Sequence, residues 1–261
     1  MHSHPSSDRL RINVLGVGVD AVNMQTAIER IMTAASSGNG GYVCVTGVHG
    51  VMEAQRDARL RAILNGSLIT TPDGMPMVWL GRLAGVRSMT RVYGPDLMLE
   101  LCRESVGRGL THFFYGGSKG VVEQLAEGFR ARVPGIRIVG MYTPPFRALS
   151  PEEESALDAR LQELAPDYLW VGLSTPKQER FMAKYYGRFR ATVMLGVGAA
   201  FDMHSGRLKQ APSWMQRSGL EWLFRLLQEP RRLFKRYAVN NPEFVVRVFA
   251  QKLGLRRYSL E

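Results

Sequence analysis

The sequence predicts an α/β fold, a mostly parallel sheet with helices on both faces, followed by a helical, basic appendage. Three observations predict it. Short apolar, β-branched runs alternate with amphipathic stretches from Arg11 to about Gly206, the pattern of strands buried on both faces and the helices that cover them. Strand signals then stop, and the rest of the chain reads as helix. The charge divides near the same point: His204 to Glu261 carries 12 Lys/Arg and 4 Asp/Glu, a net of +8 out of the chain's +11. The expected organisation is a flexible tail over residues 1–10, an α/β domain over 11–206 and an appendage over 207–261.

The elements follow in order. Ile12–Val19 reads as a strand and Met24–Ala35 as a helix. Tyr42–Thr46 is a strand, Val51–Leu64 is helical, and Ser67–Thr71 is a strand that stops at the turn residues Pro72-Asp73-Gly74. Met75–Leu83 and Pro95–Val106 read as helices, the second entered through Gly94-Pro95-Asp96. Thr111–Tyr115 is a strand ending in Gly116-Gly117, followed by a helix over Ser118–Arg132 and a strand over Ile136–Met141. Ser150 with Glu153 forms a capping box for a helix over Pro151–Leu164. Tyr168–Leu173 is a strand, Lys177–Phe189 a helix and Ala191–Val197 a strand. In the tail, Leu220, Leu223, Phe224, Leu227 and Phe234 fall on one helical face, and Pro230 and Pro242 are expected to break the helix into pieces, the last over Phe244–Leu253.

Composition narrows the function. No apolar run approaches the roughly 20 residues that span a bilayer. The polar stretch Met1–Arg11 lacks the apolar core of a signal peptide. Cys44 and Cys102 match no metal or redox spacing. A cytoplasmic protein is therefore expected. The basic tail, with Trp214, Trp222, Phe224, Phe234 and Tyr237 among its Arg and Lys, suits an interfacial helix on anionic lipid. A helix packed on the domain with a solvated basic face is the alternative, and no nucleic-acid module is recognised.

In a parallel sheet the polar and glycine residues after the strands collect on one rim, where ligands bind. They are Thr46-Gly47, Pro72-Asp73-Gly74, Gly116 to Gly120, Ser174 to Glu179, and Gly196-Val197-Gly198 leading to Asp202. Asp73 stands between a strand and a helix start, as a general base or as a plain N-cap. Gly116 and Gly117 suit a diphosphate on backbone N–H groups, or a simple turn. Lys177 and Gln178 open a helix; Gln178 suits a sugar hydroxyl or phosphate. Arg91 near the rim suits bidentate phosphate binding, and His49 approaches the rim. No histidine pair has metal-ligand spacing and no DxD-like carboxylate pair appears, so no protein-bound metal and no cofactor is expected.

Taken together, Val45-Thr46, Leu68–Trp79, Arg91–Leu97, Val171–Glu179 and Gly196–Pro212 resemble the WecG/TagA/CpsF glycosyltransferases, in order and spacing, over roughly Ile12 to Gly254. The resemblance implies a Rossmann-like fold. It also implies an inverting, metal-independent enzyme that moves a sugar from a UDP-sugar to a polyprenyl-diphosphate-linked sugar at the cytoplasmic membrane face. It implies Asp73 as the base, with Thr46, Arg91 and Gln178 as catalytic-pocket residues. Family appendages close over the site and touch the membrane with arginines, for which Arg217, Arg225, Arg231 and Arg232 are the candidates here. Many members carry Asn two positions after the pocket Thr, whereas this chain has Val48, with His49 next. The Thr46-Gly47-Val48-His49-Gly50 version is similar to the exopolysaccharide branch, so UDP-glucose stands beside UDP-N-acetylmannosamine as donor. In this reading His49, Gly116, Gly117, Lys177, Gly198 and Asp202 bind substrate. Homo-oligomerisation through the apolar tail face is a further expectation. A nucleotide-sugar-binding protein without turnover is the rival reading. A dehydrogenase is disfavoured because Gly16-Val17-Gly18-Val19-Asp20 lacks the third glycine of the dinucleotide fingerprint.

Overall fold

The computed structural model describes residues 9–38 and 40–260. It opens with an antiparallel hairpin, β1 (Arg11–Val14) and β2 (Val17–Asp20). Then come α1 (Met24–Ser37), β3 (Gly41–Thr46), α2 (Val48–Arg56), α3 (Ala58–Asn65), β4 (Ile69–Pro72), α4 (Met75–Leu83) and α5 (Gly94–Val106). The second half holds β5 (Thr111–Gly116), α6 (Val121–Arg132), β6 (Arg137–Tyr142), α7 (Pro151–Leu164), β7 (Tyr168–Gly172), α8 (Lys177–Tyr185), β8 (Val193–Gly196) and α9 (Ala200–His204). The tail is α10 (Ser213–Arg217), α11 (Glu221–Gln228) and α12 (Pro230–Lys252).

Six strands form one parallel sheet in the order β4-β3-β8-β7-β5-β6. Its central strands are buried almost throughout, as a sheet covered on both faces requires. One core cluster packs Ile31, Leu101, Phe114, Phe129 and Trp170 on one face, and another packs Val51, Leu60, Phe113, Leu169 and Met182 on the other. All six carboxyl ends therefore point to one rim. The edge strand β4 is covered by the hairpin: buried Asp20 accepts from the Thr70 N–H at 2.7 Å and pairs with Arg9. An edge tied off in this way cannot template pairing with another chain.

Four expectations need correction. The stretch 12–19 is a hairpin because Leu15 and Gly16 both take positive φ, 53° and 83°, the conformation of a tight two-residue hairpin turn. The stretch 51–64 is two helices, because Asp57 is extended and its side chain caps α3 through the N–H groups of Arg59 and Leu60. Pro242 lies inside α12 without ending it; Asn240 and Glu243 on either side of it are both bound to Arg56 of α2, which holds the helix through the missing hydrogen bond. Of the expected flexible 1–10 tail, Arg9 is anchored on Asp20 and on the Ser67 carbonyl; residues 1–8, with His2 and His4, lie outside the described residues. The capping box of Ser150 and Glu153 is present.

Candidate functional site

A cavity of about 750 Å³ lies over the carboxyl ends of β3, β4, β7 and β8, within the rough 300–1,000 Å³ range of small-molecule sites. The strand ends form its floor and one wall. The tail forms the other wall. Along α12, Arg232, Arg236, Asn240, Phe244 and Val248 line it in steps of four, and so do Tyr237, Asn241, Val245 and Phe249. These are the positions that share one helical face. At the mouth stand Trp79 and Leu83 of α4 opposite Val245 and Phe249 of α12, with exposures of 45%, 75%, 50% and 64%.

Asp73 is at the rim but is not the helix cap; Gly74 holds that position with no side-chain bond. The backbone N–H of Asp73 extends the ladder to the Thr46 carbonyl at 3.1 Å. Its Oδ1 accepts from the Gly94 N–H at 3.2 Å, and no hydrogen bond among the described residues engages Oδ2. A half-exposed carboxylate, oriented by one backbone donor with the other oxygen free, is placed to take a proton from a bound hydroxyl. Arg91 lines the cavity too, but its guanidinium is engaged: it donates to the Asp73 carbonyl, to Gln216 Oε1 and to Glu221, and it stacks on Tyr93 at 3.9 Å. It ties the Asp73 loop to the tail. Burial raises the Glu221 carboxyl, with Arg91 opposing.

Unpartnered polar atoms gather at the same rim. Thr46 Oγ1, His49 Nε2, Gln178 Oε1 and Glu179 Oε2 are all buried without a hydrogen-bond partner. Native proteins leave few such atoms, so four at one sheet end are acceptors and donors waiting for a ligand or water. Gln178 is nearly fully buried, and its amide nitrogen donates to Glu179 Oε1 at 3.1 Å. Thr175 donates to the same oxygen at 2.9 Å. Burial raises the Glu179 carboxyl, against those bonds. Burial, then the positive field of Arg236, Arg56 and Arg225, pushes His49 down to about 4, while the Thr175 backbone pulls the other way.

The cavity wall thus unites Asp73, Arg91, Gln178, His49, Gly198, Arg225 and Arg232. Thr46 is buried beside it rather than in the wall. Gly116, Gly117, Lys177, Asp202, Arg217 and Arg231 lie outside it. Gly116 serves strand packing, since a Cβ there would meet the Gly172 backbone at 2.5 Å. Arg207 occupies the following loop, donating to Ser118 Oγ and the Lys119 carbonyl at 2.8 Å each. Lys177 is exposed. Glu221, Gln216, Arg236, Asn240 and Glu179 were missed by sequence reasoning. The four-residue steps of α12 carry the signal for Arg236 and Asn240, but the expected break at Pro242 hid it. Among the described residues no group of three or more His, Cys, Asp or Glu side chains could hold a metal ion, and no helix is long and apolar enough to cross a membrane.

Comparison with known proteins gives one family. The profile of the Glycosyl transferase WecG/TagA/CpsF family matches residues 12–258. The chain is 31% identical over 216 residues to an N-acetylglucosaminyldiphosphoundecaprenol N-acetyl-beta-D-mannosaminyltransferase of Bacillus spizizenii, covering 83% of this chain and 81% of the relative. It is 30% identical to the Bacillus subtilis protein of the same name over 75% of this chain and 74% of that one. The Staphylococcus aureus protein of that name is 24% identical over 96% of this chain and 97% of its own length. With its parallel sheet, its rim carboxylate and a match running almost end to end, the chain belongs to the WecG/TagA/CpsF family of glycosyltransferases.

Proposed function

We propose that the protein transfers a sugar from a UDP-sugar to a polyprenyl-diphosphate-linked sugar, with inversion, for the assembly of a cell-surface polysaccharide. The observation that carries the reading is Asp73, oriented by the Gly94 N–H and open at Oδ2 in the cavity. The relatives' names specify an N-acetylmannosaminyl group moved to a diphosphoundecaprenol-linked sugar. UDP-glucose is the second donor, favoured by Val48-His49 in place of the pattern with Asn after the pocket Thr. In the mechanism, Asp73 accepts the proton of the acceptor hydroxyl as it attacks the anomeric carbon and UDP departs. Arg225, Arg232 and Arg236 on the tail wall offset charge on the leaving diphosphate. Arg91 holds the Asp73 loop, and Gln178 with Thr46 orients the donor. Fixing both substrates in one cavity supplies a large share of the rate. The apolar mouth and the basic tail suit peripheral attachment to the anionic inner face of a membrane.

The test is UDP release from a panel of UDP-sugars, with and without a polyprenyl-diphosphate-sugar acceptor, in detergent with EDTA. Acceptor-dependent release from one donor is expected. UDP binding without release from any donor would overturn the transfer reading in favour of a nucleotide-sugar-binding protein.

A further inference from the structure

Three of the described histidines have their tautomers fixed by their neighbours: His204, whose Nε2 donates to the Pro95 carbonyl and whose Nδ1 accepts from Arg132, His112 and His49. His112, fully buried at the start of β5, accepts at Nδ1 from the Trp170 indole N–H at 3.0 Å. Indole nitrogen only donates, so the His112 proton is on Nε2, where it meets Ser105 Oγ at 2.7 Å. That imidazole is satisfied on both sides and is structural. At the cavity the same logic runs through three side chains. Arg56 of α2 donates to Asn240 Oδ1 of α12 at 2.9 Å. A guanidinium cannot accept, so the Asn240 oxygen faces Arg56 and its NH2 faces His49 Nδ1, 3.2 Å away. Nδ1 is then an acceptor, and the ring proton is on Nε2. Here, unlike in His112, no side chain bonds the buried Nε2; the Thr175 backbone also acts on the ring and favours a bound proton.

We infer that Arg56 and Asn240 are positioning residues that hold His49 as an Nε2–H donor for an oxygen of the nucleotide-sugar donor. The inference rests on the nucleotide-sugar reading above. One neighbour opposes it: Glu53 Oε1 lies 3.8 Å from Nδ1 and would favour a proton there. It is beyond hydrogen-bond distance, it also faces Arg56 at 3.5 Å, and the Asn240 amide is closer. The other charges around the ring, Arg56, Arg225 and Arg236, disfavour an imidazolium, so the group is a neutral donor. Because Asn240 belongs to the tail and His49 to the sheet end, the donor exists in this form only while α12 is docked.

The test uses full-length protein labelled with 15N-histidine and long-range 1H–15N spectra at neutral pH, with His112 as the internal reference. His49 is expected in the same Nε2–H form as His112. Titration with UDP, and separately with the UDP-sugar that supports transfer, should shift the His49 Nε2–H and leave His112 in place. A shift with UDP alone assigns an oxygen of the UDP moiety; a shift only with the UDP-sugar assigns an oxygen of the transferred sugar. Asn240→Asp, whose carboxylate draws the proton to Nδ1, should move the His49 tautomer. It should also lower kcat/KM by up to roughly 10²–10³-fold, the cost of losing one oriented donor. His49→Leu should lose a similar amount, and His49→Gln, which keeps an N–H near the Nε2 position, should retain more activity than His49→Leu. A His49 proton on Nδ1, no shift with either ligand, or full activity in His49→Leu would overturn the inference. If no donor supports transfer, the transfer reading falls, while the tautomer and the UDP-induced shift still decide the role of His49.

Discussion

The two walls of the cavity are built by different means. On the strand side, Asp73, Thr46, Gln178 and Gly198 stand on or beside β3, β4, β7 and β8, and backbone ladders fix their places. On the tail side, α10 to α12 are held by side-chain ties, Arg91 to Gln216 and Glu221 and Arg56 to Asn240 and Glu243, and by buried Phe244. The sheet wall is built on backbone ladders that do not include the tail; the tail wall is set by a few polar contacts that solvent or a ligand can exchange. Chemistry placed on the first wall is preorganised, and charge placed on the second can close over a substrate and release it.

The largest expected effect belongs to the sheet wall. Asp73→Asn should lower kcat by roughly 10²–10⁴-fold through loss of the base, with UDP-sugar affinity and melting temperature close to those of the unaltered protein. Steady-state kinetics with calorimetric binding checks this; near-normal turnover would remove Asp73 from the reaction. Glu221→Ala acts on the other wall. It leaves the Arg91 guanidinium short of its half-buried partner, a cost on the order of 1–3 kcal/mol. Hydrogen exchange should then show loss of protection in α10–α12 with the sheet amides unchanged. If sheet and tail lose protection together, the division between the walls is wrong.

Acid should act on both regions. His49, at the wall, and His112, in the core, each have a pKa lowered to about 4 by burial. The unfolded chain binds protons at these sites below about 6.5, where the folded state does not, so stability is lost as pH falls from about 6.5 towards 4. For fully buried His112 the loss reaches up to about 2 kcal/mol at pH 5. Urea midpoints at pH 7.5 and 5 for the unaltered protein and His112→Gln would separate its share. Glu179 gives the smallest effect and the opposite sign. Its folded pKa is raised by burial, so its favourable share is full below its unfolded value near 4.5 and is lost as pH rises through the folded value. Glu179→Gln should therefore raise the melting temperature more at pH 8 than at pH 5, by a few degrees at most.

Much of the sheet wall is legible in the sequence because its signals are local. A β-branched run, Pro-Asp-Gly and a helical pattern place Asp73 at a strand end, and Ser150 with Glu153 announces α7. Misreadings arose where a local rule met a tertiary override. Leu15 takes positive φ, which no pattern of apolar residues reveals. Pro242 is a helix breaker by propensity, yet Arg56, 184 residues from Asn240, holds the helix on both sides of it. The Gly116-Gly117 pair resembles an anion cradle, but it answers the close approach of β5 to β7. Arg91 reads as a free phosphate ligand because Glu221, its partner, is 130 residues away.

The last turns of α12 and the residues after it close on the N-terminal hairpin. Gln251 bonds both Leu15 and Asn13, and the Tyr258 carbonyl accepts from Asn13 at 2.7 Å, across 245 residues of sequence. Contacts of such long separation form late, since the chain between them must first be ordered. During synthesis every strand of the sheet is made before the tail, so the strand side of the cavity precedes the segment that walls it. The tail is thus fastened at three points, Glu221 near its beginning, Arg56 against Asn240 and Glu243 in its middle, and the hairpin at its end. A tail held at its beginning, middle and end is a buckled strap across the cavity, not a free flap.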